Sequence, residues 1–433
     1  MVKLRWLQVN KFRSVKPGTR LTFNDGFNVL LGQNGTGKTT LLNLVAAAIR
    51  SDFTEFQGLE FELQYELVSA EATTTLSVQN RRRASSLATA WEALPQQVRD
   101  SGILVQDKTQ QVPVLSAEIN LAIHGANTLL ISIEGSKITA RQGDGSSTIP
   151  FDEHDLSPRP RTLAEMVHSV LTQQLLDKAF QSQALKLFPL FMESQLRRFD
   201  ESLEYFNRFN EFRPEVRRDP HGTLVFSGHF PSPRELWTKF GEKVGEHWGE
   251  DRFVLEDNQL PFLQSVTRIL DFEKAEAAAD LQETSKTEDL EVLKLGNLKF
   301  FFSHRGGWRI SDKYLSYGQK RMLAFMYYLS TVESVAIADE LVNGLHHRWI
   351  RACFEALGQR QVFLTSQNPL LLDYLNFQSP EDVRSTFVLC RLEKGPEQMV
   401  WENMTQEAAE DFFASYKVGF QQVGELLQSK GLW

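Results

Sequence analysis

The feature that most constrains the fold is the run GQNGTGKT at positions 32–39. It matches the pattern G-x-x-x-x-G-K-[ST] at every fixed position. An apolar segment, Phe27 to Leu31, precedes the run, and a second one, Leu41 to Ile49, follows it. This order predicts a buried strand, a glycine-rich loop and a helix, which is the context in which such a loop binds phosphate.

The residue types of this loop each have a physical role. Glycines let backbone N–H groups turn inward around phosphate oxygens, and the N-terminus of the helix adds partial positive charge. We expect Lys38 to reach the β- and γ-phosphates of a nucleotide and the Thr39 hydroxyl to ligate Mg²⁺. The alternative, a glycine-rich turn that matches by chance, is disfavoured by the complete match in this context. The loop residues predicted to contact nucleotide are Asn34, Gly35, Gly37, Lys38, Thr39 and Thr40.

Two further patterns lie in the last third of the chain. Residues 315–321 read LSYGQKR, and residues 335–340 read VAIADE. The second pattern predicts a buried strand that ends in two acids, and an acid at the carboxyl end of a parallel strand points into the ligand crevice. We expect Asp339 to hold Mg²⁺ and Glu340 to orient and deprotonate the attacking water. The alternative is a capped helix followed by a strand with two exposed acids.

The order of the three patterns, with most of the chain between the first and the second, resembles the ABC-type ATPase heads of the RecF, SMC/Rad50 and OLD-like branch. The opening, LQVNKFRSVKPGTRLTF and then FNVLLGQNGTGKTTLLNLV, is similar to the first lobe of that branch. The resemblance covers about residues 1–80 and 260–375. It implies an α/β fold, namely a P-loop ABC-type ATPase head with a mixed β-lobe, a RecA-like lobe and a helical insertion.

This resemblance also implies ligands, partners and further site residues. ATP and Mg²⁺ are the expected ligands, and a homodimer or a higher homo-oligomer is the expected working form. Ser316 and Gly318 would contact the γ-phosphate of ATP held by the opposite subunit. Arg13 occupies the place where this branch contacts nucleotide, and residues 343–346 match the loop that faces the dimer partner.

Two positions depart from the family pattern. Leu341 and Val342 stand where the OLD-like pattern has Pro-Glu, and Gln367 stands where a switch histidine is expected. Glutamine can hydrogen-bond a γ-phosphate oxygen but cannot carry a positive charge, so we expect hydrolysis to be slow or to depend on a partner. The alternative, to which we give equal weight, is that Gln367 only caps the next helix.

The resemblance also implies a glutamine in the segment called the Q-loop. Gln64 and Gln79 are the candidates for it, and the alternative for each is an exposed glutamine on a strand.

We divide the chain into an N-terminal part of the head (1–154), a mainly helical insertion (155–258) and a C-terminal part of the head (259–433). Alternating apolar and polar residues predict antiparallel strands over 59–80 and 117–142. Other predicted elements are helical stretches over 162–213, 234–248 and 260–281, a polar loop over 282–291, a hairpin at Gly306-Gly307, a strand pair over 384–404 and terminal helices over 405–430.

Composition limits the environment and the partners of the chain. No stretch of about 18 apolar residues occurs, and the two cysteines lie far apart, which favours a reducing cytoplasm and no membrane. The net charge of −8 argues against a surface that is basic overall. A run of arginines and aromatic residues over 196–218 could bind nucleic acid through phosphate contacts and base stacking. An amphipathic helix with an apolar core stripe is the favoured alternative.

Two functions from different classes remain at this point. About 60 residues follow the head, so no appended nuclease domain is expected, and a stand-alone head resembles ATPases of bacterial defence systems. The first function is therefore an ATP-driven sensor or regulator that controls a separate effector, a nuclease or a toxin. The second is a RecF-like DNA-repair ATPase that binds DNA directly as an ATP-gated clamp. The acidic net charge favours the first function, and a nucleic-acid partner stays open.

Overall fold

The computed structural model describes a large part of the chain. The described residues are 1–85, 110–123, 128–134, 137–142, 145–150, 162–163, 165–167, 198–200, 213–219, 221–227, 234–287, 290–365, 369–393, 395, 397–419 and 422–432. Within them, the strands form three sheets of eight, six and five strands. The predicted α/β fold class is confirmed.

The strands, in chain order, are β1 (Lys3–Phe12), β2 (Thr19–Thr22), β3 (Phe27–Leu31), β4 (Phe61–Val68), β5 (Ala72–Ser85), β6 (Gln110–Ile123), β7 (Thr128–Glu134), β8 (Lys137–Gln142), β9 (Gly145–Pro150), β10 (Glu215–Arg218), β11 (Leu224–Ser227), β12 (Arg252–Glu256), β13 (Lys274–Lys286), β14 (Glu291–Ser303), β15 (Arg309–Ser311), β16 (Val335–Ala338), β17 (Gln361–Thr365), β18 (Phe387–Glu393) and β19 (Gln398–Asn403). The described helices are α1 (Lys38–Arg50), α2 (Arg234–Glu246), α3 (Pro261–Ile269), α4 (Tyr317–Leu329), α5 (His347–Leu357), α6 (Pro369–Leu372), α7 (Pro380–Thr386), α8 (Gln406–Val418) and α9 (Val423–Ser429).

The five-stranded sheet positions the site. Its order is β16-β17-β3-β18-β19, in which the first four strands are parallel and β19 returns antiparallel to β18. All residues of β16 and β17 are buried, as expected for parallel strands covered on both faces. Because the carboxyl ends of parallel strands meet at one edge, the loop after β3 and the acids after β16 lie on the same side.

The eight-stranded sheet is antiparallel throughout, in the order β2-β1-β4-β5-β6-β7-β8-β9. Burial alternates strictly along β4, with Phe61, Leu63, Tyr65 and Leu67 facing the core. This period of two is the geometry that the alternating sequence predicts, so the predicted antiparallel strands are confirmed. Gln64 and Gln79 both lie on half-buried strand positions of this sheet.

The six-stranded sheet, β11-β10-β14-β13-β12 with β15 beside β14, corrects two predictions. The helix predicted over 260–281 ends at Ile269, and β13 begins at Lys274. Alanine-rich sequence there favours a helix, but pairing with β12 and β14 overrides that preference. The polar loop predicted over 282–291 is wrong, because β13 continues to Lys286. Cross-strand ion pairs, such as Lys294 Nζ to Glu283 Oε2 at 2.8 Å, hold this charged part.

Other predictions can be compared with the structure directly. The helix predicted over 234–248, the hairpin at Gly306-Gly307, the strand pair over 384–404 and the terminal helices are confirmed as α2, β14–β15, β18–β19, and α8 with α9. The helical character of 155–258 stays a prediction, because most of that range lies outside the described residues. Its described part contains α2 and also the strands β10, β11 and β12.

Candidate functional site

The glycine-rich loop joins β3 to α1, and the hairpin β18–β19 packs against it. Gly32 (φ 146°) and Gly37 (φ 84°) have backbone conformations that side chains disfavour. A Cβ atom at Gly32 would lie 2.1 Å from the Cys390 carbonyl oxygen, and one at Gly37 would lie 2.3 Å from the Met399 sulfur. Glycine is therefore required at position 32, where a strand backbone occupies the space, and is favoured at position 37 by the left-handed backbone, since the Met399 side chain can shift.

Hydrogen bonds fix the shape of the loop from inside and outside. Lys38 Nζ donates to the carbonyl oxygens of Gly32 at 2.7 Å and Gln33 at 2.9 Å, so the ammonium group lies across the mouth of the loop. The buried Trp401 donates its indole Nε1–H to the Thr36 carbonyl oxygen at 3.2 Å. The helix α1 begins at Lys38, so its first backbone N–H groups face the loop, as anion binding at a helix N-terminus requires.

The two predicted metal ligands contact each other directly. The Thr39 hydroxyl donates to Asp339 Oδ2 at 2.6 Å, although the two residues are 300 positions apart. The Thr365 hydroxyl donates to the other oxygen, Asp339 Oδ1. A hydroxyl and a carboxylate side by side are the oxygen donors that Mg²⁺ prefers, so this pair fits the metal of a nucleotide complex. No cluster of three or more His, Cys, Asp or Glu side chains suited to a metal occurs in the described part of the chain, so the pair would need the phosphates as further ligands.

Glu340 adopts a strained backbone conformation beside this pair, with φ at 49°. Its N–H donates to the Thr365 hydroxyl at 2.9 Å, and its carboxylate accepts from the Asn343 side chain. The buried Arg321 of α4 donates to the carbonyl oxygens of Glu340 and Leu341. Through the Thr365 hydroxyl, Glu340 is linked to Asp339 and so to Thr39, and Lys38 is the residue before Thr39.

Sequence reasoning missed three contributors to this group. Thr365 is the last residue of β17, the strand next to β16. Because neighbouring parallel strands end at the same edge of a sheet, this position could have indicated that Thr365 lies near Asp339. Arg321 lies within LSYGQKR, but burial of an arginine has no signature in a single sequence. Arg198, in the predicted insertion, places Nη1 at 4.0 Å from Asp339 Oδ2. Its neighbour Phe199 is fully buried against α4, which agrees with the favoured core-stripe interpretation of the arginine-aromatic run.

The LSYGQ segment begins α4 and is partly exposed. Ser316 is the N-cap: its Oγ accepts from Gln319 N at 3.3 Å, and Gln319 Oε1 accepts from Ser316 N at 2.9 Å. Gly318 is buried, and a Cβ atom there would lie 2.8 Å from the Gly344 carbonyl oxygen. The helix cap of the alternative interpretation is thus observed, whereas Asp339 and Glu340 are half-buried and not exposed. The segment packs on the loop 343–346 of the same chain. Tyr314, just before the segment, and Tyr317, within it, are exposed by 72% and 63%.

The remaining predicted site residues are placed as follows. Arg13 is exposed in a left-handed turn with φ at 46°, and the next residue, Ser14, accepts from Met399 N at 2.8 Å. Met399 also contacts the position of Gly37, so one residue links the Arg13 turn to the loop. Asn34 and Gly35 are exposed at the tip of the loop, and Thr40 follows in α1. Gln367 lies outside the described residues.

Two segments of the chain match models of known protein families. A family model described as "AAA domain" matches residues 7–142. A second, described as "AAA domain, putative AbiEii toxin, Type IV TA system", matches residues 192–373. No curated protein matches the chain. Across the described residues, no helix has the length and apolar character needed to cross a membrane.

Solved structures with similarity to the chain include three SMC head domains. The SMC head domain from Thermotoga maritima is 12% identical, with 93% of this chain and 99% of that chain covered and a TM-score of 0.39. An SmcHead bound to the C-winged helix domain of ScpA is 11% identical, with 93% and 98% covered and a TM-score of 0.40. A Pyrococcus furiosus Smc head domain bound to the C-terminal domain of ScpA is 10% identical, with 96% and 100% covered and a TM-score of 0.35.

The two matched segments contain the parts of the site that the fold brings together. The first contains the loop with Lys38 and Thr39, and the second contains Arg198, Arg321 and the acid Asp339. Both models describe AAA domains, and the segment between them interrupts the match. Both matched segments contribute strands to the five-stranded sheet, β3 from the first and β16 and β17 from the second.

Proposed function

We propose that the chain binds Mg²⁺·ATP at residues 32–40 and hydrolyses it. The observation that carries the proposal is the 2.6 Å hydrogen bond between Thr39 and Asp339. It joins the phosphate-binding loop to the acid after β16, which is the arrangement that a metal-bound nucleotide needs. The ammonium group of Lys38 lies at the mouth of the same loop, where it can exchange two carbonyl partners for phosphate oxygens.

The contacts of Thr39, Asp339 and Glu340 support the roles proposed for them. Thr39 and Asp339 would hold Mg²⁺, which supplies charge neutralisation on the phosphates when bound. Glu340 is the general base that orients water and takes its proton, and its backbone conformation is fixed from both sides. Asn34, Gly35, Gly37 and Thr40 would provide donors around the phosphates. Gln367 is proposed as a γ-phosphate hydrogen-bond partner, and Arg13 as a contact near the nucleotide.

The LSYGQ segment is proposed to act on ATP held by a second copy of the chain. Ser316 is exposed, and exposed Tyr314 and Tyr317 surround it. Gly318 packs on the loop 343–346, so segment and loop form one surface that a second copy would cover. ATP then joins two subunits face to face, with a phosphate-binding loop from one and Ser316 from the other.

In the cell, we propose a sensor or regulator subunit of an anti-phage defence system, with a separate nuclease or toxin as its effector. The description of the second family model, which refers to a type IV toxin–antitoxin system, supports this assignment. ATP binding would license or release the effector by making or breaking the dimer. ATP-gated binding of DNA by the purified chain, with no other protein present, would favour a RecF-like clamp instead.

A binding titration tests the nucleotide site. Lys38→Ala should weaken ATP binding by about tenfold to a hundredfold, because it removes a cation that hydrogen-bonds to phosphate. Lys11→Ala is the matched control, since Lys11 is exposed on β1 and pairs with Glu60 at 2.6 Å. Equal ATP affinity in the parental protein and Lys38→Ala would refute the proposed site.

A further inference from the structure

Residues Arg198 to Asp200, from the middle of the chain, lie against the proposed metal site. Arg198 Nη2 forms an ion pair with Asp200 Oδ2 at 2.9 Å, and Arg198 Nη1 lies 4.0 Å from Asp339 Oδ2. The side chain of Arg198 is only 12% exposed. The guanidinium is therefore held between two carboxylates, one of its own segment and one of the site.

Phe199 anchors this segment to α4. It is fully buried, with its ring centroid 5.3 Å from that of Phe325 in an edge-on contact and 5.9 Å from that of Tyr328. On its other side, the Arg321 guanidinium lies 4.9 Å from the ring centre. Arg321 also donates to the carbonyl oxygen of Glu340. The same side chain therefore contacts both Phe199, next to Arg198, and the turn that carries Asp339 and Glu340.

The charges around Asp339 indicate what the guanidinium faces. Asp339 Oδ2 accepts the Thr39 hydroxyl at 2.6 Å, so Arg198 is separated from the proposed metal ligand Thr39 by a single carboxylate oxygen. At 4.0 Å the contact with Asp339 is an ion pair and too long for a hydrogen bond. A planar guanidinium with several N–H donors is the side chain best suited to phosphate oxygens.

We propose that Arg198 recognises the terminal phosphate of ATP bound to the phosphate-binding loop of its own chain. Asp200 and Asp339 orient the guanidinium for that contact, and Phe199 fixes its distance from the acids. Through Arg198 the middle segment of the chain distinguishes ATP from ADP. This inference rests on the proposed function, because it assumes that the loop binds nucleotide.

The test compares an ATP analogue with ADP, so that no turnover is needed. Titrations with the β,γ-imido analogue of ATP and with ADP, both with Mg²⁺, would be made on the parental protein and Arg198→Gln. We expect the variant to bind the ATP analogue about tenfold to a hundredfold more weakly, as for loss of a charged hydrogen bond. ADP affinity should stay within about twofold, because ADP lacks the terminal phosphate that Arg198 is proposed to contact. Arg217→Gln, which breaks an exposed pair with Glu215 at 2.9 Å, is the matched control.

The outcomes separate this inference from the proposed function. If Arg198→Gln lowers the affinities for the ATP analogue and for ADP equally, the inference is overturned, because Arg198 would then affect nucleotide binding only through its ion pair with Asp339. Unchanged affinities for both would overturn it as well and leave the nucleotide site intact. If the parental protein binds neither nucleotide, both the proposed function and this inference fail. If Arg198→Gln unfolds, Arg198→Met decides: it keeps an unbranched side chain but has neither charge nor N–H donors, so an unchanged preference for the ATP analogue over ADP refutes the contact.

Discussion

The phosphate-binding loop with its acids and the LSYGQ surface differ in how they are held. Side chains from α1, β17 and α4 hold the first group together, and Trp401 of β19 supports the loop from behind. At the LSYGQ surface, Ser316 caps its own helix, while Tyr314 and Tyr317 are exposed. The loop and its acids are held by contacts within the chain, whereas the LSYGQ surface is exposed.

This difference supports a site that is shared between two subunits. A group that binds a charged ligand must be preorganised before the ligand arrives, since ordering it later lowers affinity. Exposed aromatic side chains next to a helix N-terminus have the composition of an interface core. We therefore expect changes in the first region to abolish chemistry in each subunit and changes in the second to act through assembly. The three predictions that follow test this division.

The largest effect is expected for Glu340→Gln. The amide can still accept the Asn343 hydrogen bond and orient water, but it cannot take a proton, so turnover should fall by about 10²–10⁴-fold. ATP binding should be retained, and an ATP-bound dimer should accumulate. Phosphate release measures the first effect, and size-exclusion chromatography with ATP measures the second.

Glu333→Gln is the control for this change, because Glu333 is exposed in the turn before β16. It should hydrolyse ATP at the parental rate and form no trapped dimer. Parental turnover in Glu340→Gln would show that another group takes the proton, and the division between the two regions would then lack its chemical basis.

The sequence predicted most of the first region, because local patterns determine it. The loop and the strand that ends in Asp339 are short, contiguous signals, and parallel strands bring their carboxyl ends together in any sheet of this class. The contacts of Thr365 and Trp401 depend instead on which strands neighbour β3, and strand order cannot be derived from one sequence. For the same reason the contact of Arg198 with Asp339 cannot be predicted from the arginine-aromatic run alone.

The errors lie where a local preference competes with pairing. The alanines of residues 275–279 favour a helix, yet Ala275 and Ala277 are buried in β13 and paired with Phe302 and Phe300. The polar end of β13 has no apolar alternation, so only its partner β14 makes it a strand. Non-local pairing of this kind leaves no trace in the segment itself.

A mixing experiment addresses the second region. Lys38→Ala lacks a working loop and Ser316→Arg lacks a working LSYGQ segment, so neither protein alone can complete a shared site. A mixed dimer has one intact site, formed by the loop of Ser316→Arg and the LSYGQ segment of Lys38→Ala. We expect ATPase activity to return on mixing, up to about half of the sites in each mixed dimer if the sites are independent.

Two controls make the mixing result decisive. A tag pull-down between the two variants must show subunit exchange, and Ser316→Ala isolates the loss of the helix cap, worth about 1 kcal/mol of stability. If Ser316→Arg alone keeps full turnover, the exposed segment has no role in the site. The two regions would then differ in exposure but not in function.

The smallest effect is expected on stability, for substitutions at two glycines of the loop. Gly32 is crowded by a neighbouring strand, and Gly35 lies in open space. An alanine at Gly32 would place Cβ 2.1 Å from the Cys390 carbonyl oxygen, at φ 146°. At Gly35, with φ 83°, no described atom lies within 4 Å of an added Cβ. Gly35→Ala should therefore cost about 1–2 kcal/mol from backbone strain alone. Gly32→Ala should cost about 3 kcal/mol or more, because overpacking against a strand backbone adds to the strain.

Urea unfolding followed by tryptophan fluorescence measures both variants, and one of the eight tryptophans, Trp401, contacts the loop through its hydrogen bond to Thr36. A lower midpoint for Gly32→Ala than for Gly35→Ala is the expected order. Since β18 pairs with β3 through Leu389 and Leu31, the Cys390 carbonyl cannot move without breaking the central sheet. Equal midpoints would mean that the hairpin β18–β19 yields to the loop, and the phosphate-binding region would then be less preorganised than its hydrogen bonds indicate.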